Sequence, residues 1–158
     1  MNIALIGYGK MGREVEHVAK EKGIKVASII TEENNTGGLG ITPDSLKGVD
    51  VCIDFSLPTA VLDNIEAVAD CGKSIVVGTT GWYDKLEHVR KLVKEKKIGF
   101  LYASNFSLGV NIFSQIVMDA SRHFDKYSDY DVSIHEVHHK GKADSPSGTA
   151  LSLGSTVL

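Results

Sequence analysis

One glycine-rich turn limits the possible folds of this chain more than any other feature. It reads Gly7-Tyr8-Gly9-Lys10-Met11-Gly12. The turn follows a continuous apolar run, Asn2–Ile6, which predicts a strand buried on both faces, and it opens residues 11–22, where apolar side chains recur at helical spacing. Glycines at these positions suit a tight turn, close approach of the backbone to a ligand and close packing of helix on strand. We therefore predict a strand–turn–helix unit that holds the diphosphate of a dinucleotide at the helix start.

The next stretch of sequence continues the same alternation. Short β-branched or apolar runs predict strands at 25–30, 51–55, 74–77 and 99–103, and helical spacing predicts helices at 59–70 and 84–96. This order is typical of an α/β fold with a doubly wound, Rossmann-like parallel sheet. Residues 31–50 are rich in Gly, Asn and Thr, so we expect no full crossover helix there. Residues 1–105 are predicted to form a dinucleotide-binding domain.

Beyond residue 105 the pattern changes. We predict a long helix at 108–124, a strand at 130–137, a polar loop and a helix at 148–158. The predicted strand has no second strand after it, although a strand must pair with another to satisfy its backbone. We therefore expect 106–158 to be the incomplete beginning of an α+β substrate domain in a longer protein.

Composition excludes several classes of function. There are 17 Lys and Arg against 20 Asp and Glu, a net charge of −3, which disfavours a nucleic-acid partner. No apolar run approaches the roughly 18 residues that span a bilayer, and the first residues lack the features of a signal peptide. We therefore expect a cytoplasmic protein with neither a nucleic-acid nor a membrane partner.

The choice between NADH and NADPH stays open at this stage. Thr31 stands where the second strand is predicted to end, and Glu32 and Glu33 follow it. Glu32 could bind the ribose hydroxyls of the adenosine, or the pocket could accept a 2′-phosphate with Lys10 as its positive partner. Alternatively, both glutamates are solvated loop charges.

Polar residues are densest between Glu136 and Ala150. A strand end, a basic loop and a helix start occur within this stretch, and Ser147-Gly148-Thr149 at a helix start could bind a carboxylate. Lys142 adds a cation and a proton donor. Metal binding is an alternative, but no cysteine in this stretch completes a zinc site, so we expect none. A wholly structural loop that caps the helix is the other alternative.

Five segments, in this order along the chain, together resemble the bacterial dihydrodipicolinate reductases of lysine and diaminopimelate synthesis. They are residues 7–12, Asp54-Phe55-Ser56, Gly78-Thr79-Thr80-Gly81, Ala103-Ser104-Asn105-Phe106-Ser107 and Glu136 to Ala150. The most specific is the H-H-x-x-K-x-D-x-P-S-G-T-A pattern that begins at His138. The resemblance implies reduction of 4-hydroxy-tetrahydrodipicolinate to tetrahydrodipicolinate by NADH or NADPH, with a homotetrameric full-length protein.

The resemblance also implies residue roles. His138 and Lys142 would be the catalytic proton-transfer groups, and His139, Gly148 and Thr149 would bind the dicarboxylate substrate. The implied cofactor contacts are Gly7, Tyr8, Gly9, Lys10, Met11, Gly12, Glu32, Gly78, Thr79, Thr80, Ala103, Ser104, Asn105 and Phe106. Two alternative functions remain: another Rossmann dehydrogenase of amino-acid metabolism, or a non-catalytic module that senses a nucleotide.

Overall fold

The computed structural model describes residues 1–138, 140 and 145–157. The chain divides into two units, Met1–Ser104 and Asn105–Leu158. Three residues to which the sequence assigned roles or an element, His139, Lys142 and Leu158, lie outside the described residues. Within the described part, no helix is both long enough and apolar enough to cross a bilayer.

The first unit is built on a five-stranded parallel sheet. Its strands are β1 (Asn2–Ile6), β2 (Lys25–Ile30), β3 (Val51–Asp54), β4 (Ser74–Val77) and β5 (Phe100–Tyr102), and its helices are α1 (Lys10–Glu21), α2 (Val61–Asp70) and α3 (Leu86–Lys96). The strand order is β2-β1-β3-β4-β5, and every pairing is parallel. This confirms the predicted α/β doubly wound sheet.

The element boundaries differ from the sequence prediction by one or two residues at several ends. β3 was predicted to run through Phe55 but ends at Asp54, because the Asp54 carboxylate accepts the amide of Ser56 and turns the chain. The helix predicted from residue 84 begins instead as a 3-10 turn, Tyr83–Lys85, which continues into α3. These shifts leave every strand end on the same edge of the sheet.

The connection from β2 to β3 contains no α-helix, as predicted. Two 3-10 turns, Glu32–Asn34 and Thr36–Gly38, occupy its first part. Its later part buries Ile41, Leu46 and Val49 in the same core as β1, β3 and α2. Burial of these three side chains supplies the apolar contact that a crossover helix would otherwise make with the sheet.

The second unit contains two helices, α4 (Leu108–Phe124) and α5 (Gly148–Val157). The strand predicted at 130–137 is wrong: these residues form no strand. In the described residues of this unit the regular elements are helices, so residues 130–137 have no partner strand there. Alternation of apolar side chains does not by itself supply the backbone hydrogen bonds that a strand requires.

Candidate functional site

A cavity of about 650 Å³ opens at the carboxyl ends of β1, β2 and β3. Ile6, Ile30 and Phe55, at or just beyond the ends of these strands, contribute to its wall. The crossover from β1 leads to β2 on one side of β1, whereas β3 pairs with its other side. Crevices at such a reversal of strand order are where open α/β sheets bind ligands.

The three glycines of the turn have different local requirements. Gly7 has φ +83, and a Cβ there would lie 2.4 Å from the Phe55 carbonyl oxygen. A Cβ on Gly12 would lie 2.3 Å from the Gly7 carbonyl oxygen. A Cβ on Gly9, by contrast, would meet no atom within 4 Å. Packing within the chain therefore explains Gly7 and Gly12, whereas the space beside Gly9 is open for a ligand.

The start of α1 is suited to an anion. Gly9 is the N-cap and offers no side-chain cap, and the first turn carries no acidic residue. The amide of Arg13 bonds to the Gly9 carbonyl at 3.1 Å. Within the described residues, the amides of Lys10, Met11 and Gly12 have no acceptor. Three such amides with the positive end of the helix dipole fit a diphosphate.

Arg13 provides a cation in the cavity wall that the sequence analysis missed. Its guanidinium carbon lies 5.5 Å from the centre of the Tyr8 ring, a cation–π contact that steadies it. The Tyr8 hydroxyl donates to Glu16, and this hydrogen bond raises the pKa of Tyr8. Arg13 lies four residues after Gly9, so helical spacing could have placed it on the same side of α1. Lys10, the expected cation, does not contribute to the wall.

The other side of the cavity is acidic and polar. Glu32 and Glu33 both belong to its wall, with Thr31 and Thr36 beside them. Because they follow the end of β2, the two glutamates stand where the ribose of an adenosine binds in folds of this kind. The structure thus brings Glu32 to the same cavity as Gly7, Tyr8 and Gly9.

The loop after β4 faces the same edge of the sheet. A Cβ on Gly78 would lie 2.1 Å from the Phe55 ring, so the ring packs directly on this glycine. Thr79 is buried and its hydroxyl donates to Asp54 at 2.7 Å. Thr80 is exposed. Of the two threonines predicted to contact a cofactor, therefore, Thr80 is exposed, whereas the Thr79 hydroxyl is turned inward to Asp54.

The segment after β5 supplies the remaining predicted cofactor contacts. Ala103 donates its amide to the Val77 carbonyl oxygen at 3.2 Å, and Ser104 is exposed. Asn105 accepts the amide of Ser107 at 2.7 Å, a turn that leads into α4. Phe106 is 44% exposed.

In the second unit, Glu136 connects His138 to the start of α5. The Glu136 carboxylate accepts the amide of Ser147 at 2.8 Å and its hydroxyl at 2.6 Å, and it lies 3.6 Å from Nδ1 of His138. Gly148 and Thr149 are exposed in the first turn of α5. This role of Glu136 was not predicted from the sequence.

A network of buried polar side chains adjoins the cavity at the carboxyl ends of β1, β2 and β3. It joins Asp54, Thr79, Asn64 and Asn35, and the sequence analysis did not assign it. Asn64 carried the one available signal, because this polar residue lies on the apolar face of a predicted amphipathic helix. In the described residues, no group of three or more His, Cys, Asp or Glu side chains could hold a metal ion.

Comparisons with known proteins agree along the whole chain. A family model described as dihydrodipicolinate reductase, N-terminus, matches residues 1–106, and one described as dihydrodipicolinate reductase, C-terminus, matches residues 109–158. The chain is 39% identical over 158 residues to a 4-hydroxy-tetrahydrodipicolinate reductase of Christiangramia forsetii, covering all of this chain and 64% of that protein. It is also 39% identical over 156 residues to one of Zymomonas mobilis, covering 98% and 60%.

Among solved structures, the chain is similar to a dipicolinate-bound dihydrodipicolinate reductase of Paenisporosarcina. The TM-score is 0.73 at 24% identity, and the match covers 99% of this chain and 65% of that one. At this identity the likeness supports the fold. The chain thus spans about 60–65% of the length of the proteins that it matches.

Proposed function

We propose that this chain, which belongs to the dihydrodipicolinate reductase family, binds a nicotinamide dinucleotide and carries catalytic residues for reducing 4-hydroxy-tetrahydrodipicolinate to tetrahydrodipicolinate. The observation that carries the proposal is the cavity at the reversal of strand order, with the uncapped start of α1 beside it. Curated relatives that match the chain along its whole length bear the name of this activity.

Different residues of the cavity and of the neighbouring loops would contact different parts of the dinucleotide. The amides at the start of α1 would hold the diphosphate, and the open space beside Gly9 would admit it. Glu32 would accept hydrogen bonds from the adenosine ribose hydroxyls. Gly78, Thr79 and Thr80, with Ala103 to Phe106, would contact the nicotinamide half, because they follow the ends of β4 and β5.

The charges around the cavity favour NADH over NADPH. Glu32 and Glu33 bring two negative charges to the wall, whereas Arg13 brings one positive charge. A 2′-phosphate would add about two further negative charges near the glutamates, and like charges repel at this range. A ribose with a free 2′-hydroxyl can instead donate to a carboxylate.

The second unit would supply proton transfer and substrate binding. Loss of the 4-hydroxyl as water would leave an unsaturated imine, to which NADH, when bound, would supply a hydride. His138 lies beside Glu136, and we assign it, with Lys142, the transfer of the proton that the reduced ring then requires. His139 and the exposed amides of Gly148 and Thr149 would bind the substrate carboxylates. His139 and Lys142 lie outside the described residues, and their roles rest on the H-H-x-x-K pattern.

The direct test is a titration with NADH followed by addition of 4-hydroxy-tetrahydrodipicolinate, with loss of NADH absorbance as the readout. Lys142→Ala is expected to abolish turnover and to leave the dissociation constant for NADH unchanged, with the neighbouring exposed Lys140→Ala as the matched control. Normal turnover by Lys142→Ala would refute its role. NADH binding without turnover of this imine by the unaltered full-length protein would favour the sensor, and turnover of a different substrate would favour another dehydrogenase.

We also propose that the protein assembles as a homotetramer, as the resemblance implies. Sedimentation equilibrium of the protein measures this directly, and a monomer at all concentrations would contradict it.

A further inference from the structure

The core-facing side of β3 ends in a carboxylate where an apolar residue would be expected. Asp54 is 0% exposed, and it lies in register between Ile6 of β1 and Val77 of β4, which are themselves buried. Cys52, two residues earlier on the same side of the strand, is an ordinary buried thiol whose pKa burial raises to about 12. Burying a carboxylate costs free energy unless it is fully hydrogen-bonded, so its surroundings at this position require an explanation.

The surroundings of Asp54 consist of donors. Its Oδ1 accepts the amide of Ser56 at 2.9 Å, the hydroxyl of Ser56 at 2.8 Å and the hydroxyl of Thr79 at 2.7 Å. Its Oδ2 accepts Nδ2 of Asn64 at 2.9 Å. Among the residues that the structure describes, no basic side chain forms an ion pair with it. Four hydrogen bonds from three separate segments therefore converge on this one carboxylate.

The network extends from Asp54 into the connection that lacks a crossover helix. Asn64 accepts Nδ2 of Asn35 at 2.7 Å, and Oδ1 of Asn35 accepts the amide of Gly40 at 3.0 Å. Asn35 is 7% exposed, and Asn64 is 0% exposed. Through these bonds the position of residues 35–40 depends on α2 and, through α2, on Asp54.

Several members of the network also line the nucleotide cavity. Asn35, Ser56 and Asn64 belong to its wall, and Thr36 and Gly37 follow Asn35 directly. On the opposite side, Thr79 is held twice, because its carbonyl oxygen also accepts Nε1 of the buried Trp82 at 2.8 Å. The loops after β3 and β4 thus meet at one buried carboxylate beside the cavity, and the loop after β2 is connected to it through Asn64 of α2.

We propose that Asp54 is a positioning residue: its carboxylate holds the three loops after β2, β3 and β4 in the arrangement that binds the dinucleotide. It acts through Ser56, Asn64 and Thr79 and does not itself touch the ligand. The inference rests on the proposed nucleotide binding. A loop that is already held in place loses less conformational freedom when the ligand binds, and the affinity is higher for that reason.

Asp54→Asn tests the proposal with almost no change in volume. Whichever way the new amide turns, its NH2 group faces a donor, either the Asn64 amide or the Ser56 backbone, and two donors cannot bond to each other. We expect the affinity for NADH to fall at least tenfold. Hydrogen exchange of the amides at 35–40 and 78–80 should accelerate, a readout that does not depend on the ligand.

The exchanged pair Asp54→Asn with Asn64→Asp is the rescue. It restores a donor opposite an acceptor, keeps the total charge, and leaves an oxygen at position 64 for the Asn35 amide. We expect it to recover most of the lost affinity, whereas Asn64→Asp alone, which places two carboxylates face to face, should not fold as stably and should bind more weakly. Failure of the exchanged pair to recover any affinity, with its melting temperature restored, would overturn the proposal.

Three further variants separate positioning from stability. Val89→Ala truncates a side chain of α3 that is 0% exposed and is not part of the cavity wall, so it should lower the melting temperature and leave the NADH dissociation constant unchanged. Should Asp54→Asn not fold, Thr79→Val removes one of the donors to Asp54 at nearly equal volume, and Thr79→Ser, which keeps the hydroxyl, should lose less affinity. Equal NADH dissociation constants for Asp54→Asn and the unaltered protein would refute this inference alone. Absence of NADH binding by the unaltered protein would refute the proposed function.

Discussion

Replacement of Gly12 by alanine is expected to lower thermal stability, whereas replacement of Gly9 by alanine is expected to weaken NADH binding. The Gly12→Ala methyl would lie 2.3 Å from the Gly7 carbonyl oxygen, whereas the shortest ordinary carbon–oxygen contact distance is about 3.3 Å. The start of α1 must therefore move by roughly 1 Å, and overpacking of this size costs about 1–3 kcal/mol. For a unit of this size that lowers the melting temperature by about 4–20 °C.

Gly9→Ala should leave folding nearly intact. The new methyl meets no atom within 4 Å, and the weaker N-cap and the reduced freedom of the unfolded chain offset each other to within about 1 kcal/mol. A phosphate oxygen bonded to the α1 amides at about 2.9 Å would, however, compete with the methyl for the same open space. We expect at least a tenfold loss of NADH affinity, equivalent to about 1.4 kcal/mol.

The assay pairs thermal unfolding, followed by differential scanning fluorimetry, with an NADH titration that follows its fluorescence. Gly12→Ala should unfold at a lower temperature, and Gly9→Ala should bind more weakly at an almost unchanged melting temperature. Binding of NADH by Gly9→Ala as tightly as by the unaltered chain would contradict the assignment of this space to a ligand. A loss of thermal stability in Gly9→Ala as large as that in Gly12→Ala would contradict it too.

Three further predictions follow from individual side chains. Glu33→Gln removes one negative charge from the cavity wall and should tighten NADPH binding about fivefold, since one charge contributes about 1 kcal/mol in water. Glu14 is exposed and lies outside the wall, so Glu14→Gln should leave NADPH binding unchanged. Equal NADPH titration curves for the two variants would contradict the effect of charge. Burial raises the pKa of Cys52 from 9.0 to about 12, so the thiol ionises first in the unfolded chain and the free energy of unfolding falls as pH rises through that interval. In urea unfolding, Cys52→Ala should lose less stability over this pH interval than the unaltered chain. Identical losses would contradict the role of Cys52. Glu136→Ala removes the acceptor of the Ser147 amide and hydroxyl and should speed hydrogen exchange at the start of α5 by about tenfold or more; unchanged exchange would show that the carboxylate is not needed there.

Much of the first unit could be predicted from local pattern. β1, β2 and β4 have the predicted bounds, because a continuous apolar run between turn residues permits few alternatives to a buried parallel strand. The absence of a crossover helix between β2 and β3 was also predictable from the Gly and Asn content of that segment. The ends of β3 and β5 were not, because side chains such as that of Asp54 stop a strand by bonding to the next residues.

Some of the candidate functional residues could likewise be predicted from local pattern, and others could not. The glycine turn and Glu32 could be found from their spacing after β1 and β2, and Glu32 lines the cavity with Gly7, Tyr8 and Gly9 of the turn. Arg13 could also have been placed from its helical spacing after Gly9. The Asp54 network could not be found in this way, since Asp54 bonds to residues 10 and 25 positions away in the sequence. The predicted strand at 130–137 was wrong for a related reason: alternation of side chains indicates a suitable conformation but does not supply a partner strand.

By itself, the sequence determined that this chain forms a parallel α/β sheet with a glycine-rich turn after β1, and that its motifs resemble those of dihydrodipicolinate reductases, because local periodicity and spaced motifs act over short distances along the chain. Only the tertiary structure decided that Thr79 turns its hydroxyl inward, that Gly9 alone of the three turn glycines borders open space, and that a buried carboxylate joins the loops after β2, β3 and β4. Those outcomes depend on which segments the sheet places side by side, and that placement is set by burial and hydrogen bonding across the whole unit.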